Sequence, residues 1–103
     1  MRVMYKITLP VEQGNQTLAN GSLMTKLQAI LGELKPEAAY FGVIGGQRGA
    51  YIVCDLADPS GIPGAVEPFF MAFNADVEIC PVMTAEDLAK SGPAIERAAK
   101  QYL

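Results

Sequence analysis

The segment that decides the fold runs from residue 38 to residue 55 and reads AAYFGVI (38–44), GGQR (45–48) and GAYIVCD (49–55). Two runs rich in β-branched and aromatic residues flank a short glycine-rich turn, which is the signature of a β-hairpin. Because side chains alternate along a strand, the hairpin has one wholly apolar face and one mixed face. The apolar face holds Ala39, Phe41, Val43, Ala50, Ile52 and Cys54, and the mixed face holds Tyr40, Gly42, Ile44, Tyr51, Val53 and Asp55.

The length, composition and charge of the chain exclude several classes of protein. A chain of 103 residues, half of them hydrophobic, predicts a single domain over residues 1–103 with a real core. The net charge of -3 and the scattered cationic residues argue against a nucleic-acid partner, which needs a basic stripe. The first residues, MRVMYK, carry charges inside what would have to be an apolar run, so neither a secretory signal nor a membrane span is expected there. We therefore predict a cytoplasmic protein without a membrane partner.

The chain lacks two sequence features that catalytic and metal-binding sites commonly use: histidine and closely spaced cysteines. The chain has no histidine, so it lacks the commonest general base and metal ligand. Cys54 and Cys80 lie in predicted strands without the close spacing of a metal or redox motif, which predicts two buried free thiols. We predict no metal site and no cofactor.

The first half of the chain predicts one strand and one helix before the hairpin. Residues 2–9 alternate between apolar and polar side chains, which is the period of a half-buried strand. A polar loop through Gly14 then leads to a single amphipathic helix that starts at Asn15 or Asn20 and ends before Pro36. Its apolar positions are Leu23, Leu27, Ile30, Leu31 and Leu34.

The second half predicts a short helix, a strand and a helical tail. Asp58-Pro59-Ser60 opens a helix, and four helix-disfavouring residues limit it to about two turns. These residues are Gly61, Pro63, Gly64 and Pro68. Residues 75–83 alternate as a strand in which Pro81 marks an edge or an end. The capping-box-like segment 84–87 starts a last helical region that is interrupted at residues 91–93.

This order of strand, helix, strand, strand, helix, strand and tail predicts a ferredoxin-like α+β fold. Its split βαβ connections give a four-stranded antiparallel sheet with the spatial order fourth, first, third, second strand. Right-handed crossovers place both helices on one face of this sheet. The helix-facing side is predicted to carry Val3, Tyr5, Ile7, Phe41, Val43, Ile52, Cys54, Val77 and Ile79.

The opposite face of the sheet predicts a homodimer. Two helices cannot cover both sides of four strands, and the apolar residues left on this open face would form a patch large for a monomer surface. A second copy packed sheet to sheet would bury it, and Lys6 and Glu78 on neighbouring strands could pair. A solvated face with tolerated apolar residues is the alternative. The predicted interface residues are Met4, Lys6, Ile44, Val53, Glu78 and Val82.

Three segments of the second half carry a family resemblance: EPFF (67–70), FNADVE (73–78) and PVMTAEDL (81–88). With the strand order and chain length, they resemble the dimeric α+β-barrel superfamily and are similar to a small uncharacterised bacterial family of that fold. The resemblance implies that two protomers pack their sheets into a barrel with the helices outside. Relatives include muconolactone isomerases, cofactor-free quinone-forming monooxygenases, haem-degrading enzymes and proteins without a known activity. Shared fold does not choose among them, although the missing axial histidine disfavours haem degradation.

Four residues are candidates for binding a small organic ligand, and a fifth is a candidate for holding an anion. Tyr5 is the polar-tipped side chain on the helix-facing side, where its phenol could hold a substrate oxygen or simply complete the core. Tyr40, Tyr51 and Asp55 could line a small cavity on the other face, or pack at a dimer interface. Arg48 in the turn could hold an anion, although a solvated turn residue is commoner.

Two function classes stay open. The first is a small-molecule-binding or regulatory homodimer without a strong catalytic signature. The second is a cofactor-independent isomerase or monooxygenase that acts on a small aromatic or unsaturated acid. The first is favoured because no catalytic residue stands out in the sequence.

Overall fold

The computed structural model describes residues 1–103 and contains one antiparallel sheet and five α-helices. The strands are β1 (Arg2–Thr8), β2 (Ala38–Ile44), β3 (Gln47–Asp55) and β4 (Asp76–Pro81). The helices are α1 (Val11–Ala19), α2 (Leu23–Leu34), α3 (Ile62–Phe73), α4 (Ala85–Lys90) and α5 (Gly92–Tyr102), with a 3₁₀ turn at Pro59–Gly61 before α3. The sheet order is β2-β3-β1-β4, so the predicted ferredoxin-like fold is confirmed.

The central hairpin has a two-residue turn. Gly45 and Gly46 have φ angles of +58° and +79°, the left-handed conformation that a tight turn matching the strand twist requires and that glycine adopts without strain. Tyr40 therefore pairs with Tyr51, and Phe41 pairs with Ala50. This register confirms the two faces that the alternation predicted.

The core lies between the sheet and the helices. The largest fully buried side chains are Tyr5, Phe69, Phe73, Ile7, Ile52 and Val3, joined by Thr17. The three residues of β1 among them come from alternate positions, so one face of the strand is buried, whereas Met4 and Lys6 between them are only half-buried. The predicted helix-facing side of this strand is therefore correct.

The structure has two helices where one was predicted. Residues 11–19 form α1, so the expected polar loop through Gly14 is helical and Asn15 lies inside a helix. Gly21, at a φ of +75°, separates α1 from α2. The prediction was wrong because α1 buries only Gly14 and Thr17, which leaves no apolar stripe for the sequence to show.

Helix α3 is longer than the two turns that were predicted, since it has 12 residues. Pro63 lies in the first turn, where its missing N–H has no partner to lose. Pro68 lies inside the helix, where a proline costs about 3 kcal/mol. Burial of Phe69 and Phe73 contributes roughly 1.5–3 kcal/mol each, which is enough to offset that cost.

Two predictions of burial were also wrong. Both cysteines are free thiols, but only Cys54 is buried, whereas Cys80 is exposed. Cys80 lies on the open face of edge strand β4, which nothing in the protomer covers. Phe41 and Val43 lie on the predicted helix-facing side but are 56% and 80% exposed on the edge strand β2.

The last 21 residues form an arm that projects from the domain. This C-terminal arm, residues 83–103, begins with the predicted capping box, in which Thr84 and Asp87 exchange hydrogen bonds of 3.1 Å. It contains α4 and α5 and buries none of its residues. The Cα radius of gyration is 17.2 Å, against about 13 Å for a compact chain of this length. No helix of the chain has the length and apolar character needed to cross a membrane.

Candidate functional site

A cavity of about 410 Å³ lies between the helix-facing side of the sheet and α2. We call it the sheet–helix pocket. Hydrophobic residues make up 11 of the 15 that line it. The sheet contributes Ile7, Phe41, Ala50 and Ile52, α2 contributes Leu23, Met24, Leu27 and Leu31, and α3 contributes Phe69 and Phe73.

Regular spacing in the sequence positions these walls. Leu23, Leu27 and Leu31 recur every four residues, so they lie one above the other on the face of α2 that meets the sheet. Ala50 and Ile52 alternate on β3 and therefore point to the same side. Because the side chain of Ala50 is small, it leaves space above the sheet that a larger side chain at this position would occupy.

Two polar side chains border the pocket, Arg48 and Gln28. The Arg48 guanidinium donates from Nη2 to Asn15 Oδ1 at 3.0 Å and from Nη1 to the Val11 carbonyl at 3.4 Å. No carboxylate lies within 4 Å of it. A Cβ on Gly14 would come within 2.7 Å of Arg48 Nη1. Helix α1 therefore holds an unpaired cation at the pocket rim through the Asn15 side chain, the Val11 carbonyl and the absence of a side chain at Gly14.

Tyr5 does not reach the pocket. It is fully buried in the core on β1, where burial raises the pKa of its phenol above the ordinary value. Burial likewise raises the pKa of the Cys54 thiol. Both groups are therefore protonated at neutral pH. Neither is suited to act as a base there.

The other three candidate residues lie on the open face, away from Tyr5. Tyr40 and Tyr51 are cross-strand neighbours and both are exposed. Asp55 lies at the end of β3, where it accepts from the Met1 ammonium at 2.9 Å. The structure thus brings the two open-face tyrosines together and separates them from the buried one.

The proposed interface residues share this open face. Met4, Lys6 and Val53 are half-buried, and Lys6 Nζ lies 3.4 Å from Glu78 Oε2, so the expected pair is present. Ile44 lies at the hairpin end of the face, and Val82 follows β4. A second, mixed-charge cleft of about 500 Å³ adjoins Lys6 and Glu78. No cluster of three or more His, Cys, Asp or Glu side chains is arranged to hold a metal ion.

The pocket is lined by apolar side chains with one cation and one amide. None of the residues that line it carries an imidazole, a carboxylate or a thiol, which are the usual general bases. Sequence reasoning named Arg48 only as a possible anion ligand and missed Gln28 altogether. The signal for Gln28 was its position between Leu27 and Leu31 on α2, which places it beside the apolar stripe.

Comparison with known proteins supports the fold. No protein-family model matches the chain, and no curated protein matches it in sequence. The structure is similar to 5-chloro-2-hydroxyhydroquinone dehydrochlorinase (TftG) from Burkholderia phenoliruptrix AC1100, solved in complex with 2,5-dihydroxybenzoquinone. The TM-score is 0.63 at 15% sequence identity, over 84% of this chain and 98% of that chain. At this identity the likeness shows a shared fold and does not assign a family or an activity.

Proposed function

We propose that this protein is a homodimer in which each protomer binds a small aromatic acid in the sheet–helix pocket, in a binding or regulatory role. The observation that carries this proposal is an apolar cavity with an unpaired arginine at its rim. An aromatic ring would occupy the apolar walls and a carboxylate would face Arg48.

The size of the pocket suits such a ligand. Ligand pockets range over about 300–1,000 Å³, and this one measures about 410 Å³. A dry cavity of about 150 Å³ is enough to hold a benzene ring. One substituted ring therefore fits, with space left for a polar group that reaches the rim.

The charge of the rim favours an anion. Arg48 is the charged residue among those that line the pocket, and Asn15 fixes its guanidinium without neutralising it. A planar guanidinium matches a carboxylate by two parallel hydrogen bonds. A neutral aromatic molecule would gain only the apolar part of this binding.

The homodimer is supported by the open face of the sheet. Tyr40 and Tyr51 are exposed there beside the half-buried Met4 and Val53. A second copy would remove this surface from water. Burying the Lys6–Glu78 pair there would cost less than burying either charge alone.

The second candidate function is a cofactor-independent isomerase or monooxygenase acting on a small aromatic or unsaturated acid. The fold likeness to a dehydrochlorinase that was solved with a dihydroxybenzoquinone favours it. Against it stands the lack of a base in the pocket. Consumption of a quinol or an unsaturated acid by the purified protein, followed by absorbance, would favour this candidate over simple binding.

Replacing Arg48 with glutamine is expected to weaken benzoate binding about tenfold or more. A hydrogen bond to a charged group contributes about 1.5–3 kcal/mol, and 1.4 kcal/mol is a factor of ten in affinity. Calorimetric titration measures the change. Benzyl alcohol, which lacks the charge, should bind wild type and variant equally.

Arg97→Gln is the matched control, because Arg97 is an exposed cation on α5. It should leave benzoate affinity unchanged. Equal losses in the Arg48 and Arg97 variants would mean that the effect is net charge and not a carboxylate site. Failure of the wild type to bind any small aromatic acid would refute the proposed ligand class.

Filling the pocket is expected to abolish binding and raise thermal stability. In Leu27→Phe the larger ring would enter the cavity, and filling a cavity contributes about 0.5–2 kcal/mol to stability. The midpoint of thermal unfolding should rise by several degrees, at about 4–8 °C per kcal/mol. Leu34→Phe, on α2 but outside the pocket, is the control and should keep the affinity. Unchanged binding in Leu27→Phe would place the ligand elsewhere.

A further inference from the structure

The C-terminal arm has an apolar side that nothing covers. On α5 the apolar residues recur at helical spacing, and Ile95 and Tyr102 among them are 54% and 78% exposed. These residues form the apolar stripe of α5: Ile95, Ala98, Ala99 and Tyr102. The opposite side is polar and includes Arg97 and Lys100, the latter 3.6 Å from Glu96. Helices shorter than about 12–15 residues are marginal in water without a packing partner, and α5 has 11.

Strand β2 is a second uncovered apolar element. It is an edge strand, and Tyr40, Phe41 and Val43 are 70%, 56% and 80% exposed along it. An apolar edge of this kind invites pairing with another chain unless something covers it. We call the helix-facing side of this strand, formed by Phe41 and Val43, the β2 edge.

These two elements lie at opposite edges of the sheet. The arm leaves from β4, three strand spacings away from β2, which is about 14 Å at about 4.8 Å per spacing. It then runs outward and extends the molecule to 59 Å along its longest axis, against 28 and 20 Å along the others. The arm of a protomer therefore begins at the edge of the sheet opposite its own β2 edge.

We propose that the arm crosses to a second copy of this chain and packs the apolar stripe of α5 on the β2 edge of that copy. A two-fold axis parallel to the strands sets the β4 edge of one sheet opposite the β2 edge of the other. Both arms then engage at once, and the assembly closes with two subunits. The polar side of α5, with Arg97 and Lys100, stays in water.

The sheet face is small for a stable dimer interface, which favours an additional contact through the arm. Four strands of about seven residues give a flat face of roughly 450 Å² per protomer, at about 4.8 Å between strands and about 3.3 Å per residue. A standard stable interface buries about 800 Å² per partner. Sheet packing alone therefore buries less area than a standard stable dimer interface. The α5 stripe and the β2 edge are exposed apolar surfaces that can supply the remaining buried area.

In this arrangement the arm would also border the sheet–helix pocket of the partner subunit. Phe41 belongs both to the β2 edge and to the wall of the sheet–helix pocket. An arm on the β2 edge lies beside the mouth of the pocket of the partner subunit. This consequence for ligand access rests on the proposed function, whereas the arm contact itself does not.

Disulfide trapping in the full-length chain tests the contact. In a Cys80→Ser background, which removes the exposed thiol, Val43→Cys and Ala98→Cys are introduced together. Both positions are exposed, so folding is not at risk. Mild oxidation should give a covalent dimer on a non-reducing gel. The matched control pairs Val43→Cys with Arg97→Cys on the polar side of α5 and should stay monomeric on the same gel.

Each other result overturns the proposal. A disulfide within one chain would place the arm on its own protomer. No disulfide would place α5 away from the β2 edge. A covalent dimer from Val43→Cys alone would mean that two β2 edges meet directly. None of these readouts depends on a ligand, so failure here is distinguishable from failure to bind an aromatic acid.

Light scattering gives an independent readout. Ile95→Asp with Tyr102→Asp places two charges in the apolar stripe and should raise the dimer dissociation constant at least tenfold. Arg97→Asp, on the polar side, should leave it unchanged. An unaltered dimer in the double variant would overturn the arm contact.

Discussion

Replacing Phe69 with alanine is expected to lower the free energy of unfolding by about 3–5 kcal/mol. The side chain is 1% exposed and lies where α3, the sheet and the sheet–helix pocket meet. Its loss removes apolar contact area and enlarges a cavity that the neighbouring side chains already fail to fill. The total free energy of unfolding of a domain is only about 5–15 kcal/mol. Urea unfolding followed by circular dichroism measures the change.

The adjacent phenylalanine is the control. Phe70 is on the same helix but is 39% exposed. Phe70→Ala should therefore cost about 1–2 kcal/mol, less than Phe69→Ala. Similar losses from the two variants would mean that α3 does not present Phe69 to the core as described.

Replacing Tyr51 with aspartate is expected to dissociate the proposed dimer. Tyr51 lies on the open face opposite Tyr40 and Lys6, so sheet-to-sheet packing would bury the new carboxylate. Lys6 is already paired with Glu78, so its ammonium group would do little to neutralise the new carboxylate. A buried charge without a partner costs several kcal/mol, which corresponds to at least a hundredfold weaker association. Light scattering over a concentration series measures it.

Cys80 supplies a second readout of the same experiment. Its thiol is exposed in the protomer and lies on the open face, whereas Cys54 is buried. A thiol reagent should label Cys80 slowly in the wild-type dimer and quickly in Tyr51→Asp, with Cys54 unlabelled in both. Gln16→Asp adds the same charge on the exposed side of α1 and should change neither mass nor labelling. If light scattering shows that the wild-type protein is a monomer, the homodimer in the proposed function is wrong.

The strands were predictable from the sequence because their signal is local. The two-residue turn Gly45-Gly46 fixes the hairpin register, and alternation then assigns each side chain of β2 and β3 to a face. The capping box at Thr84 likewise sets the start of α4 within one turn. In both cases residues close in the chain determine the result.

The helices and the site depended on contacts between distant residues. Helix α1 shows no apolar stripe, and Pro68 argues against a long α3 until the burial of Phe69 and Phe73 is counted. The sequence predicted two buried cysteines, but the position of Cys80 on an uncovered edge strand exposes it. In each case the result depended on what does or does not pack against the segment, which propensity and alternation do not record.

The sequence by itself determined the order of the elements, the strand register and the composition of the two sheet faces. Only the tertiary structure decided that Arg48 meets α1 at Gly14 and Asn15, and that Tyr5 is sealed in the core away from the pocket. The physical reason is that alternation and helical spacing are properties of neighbouring residues. A cavity and its rim arise where side chains from β1, β2, β3, α2 and α3 converge, and no local pattern records how well they fill the space between them.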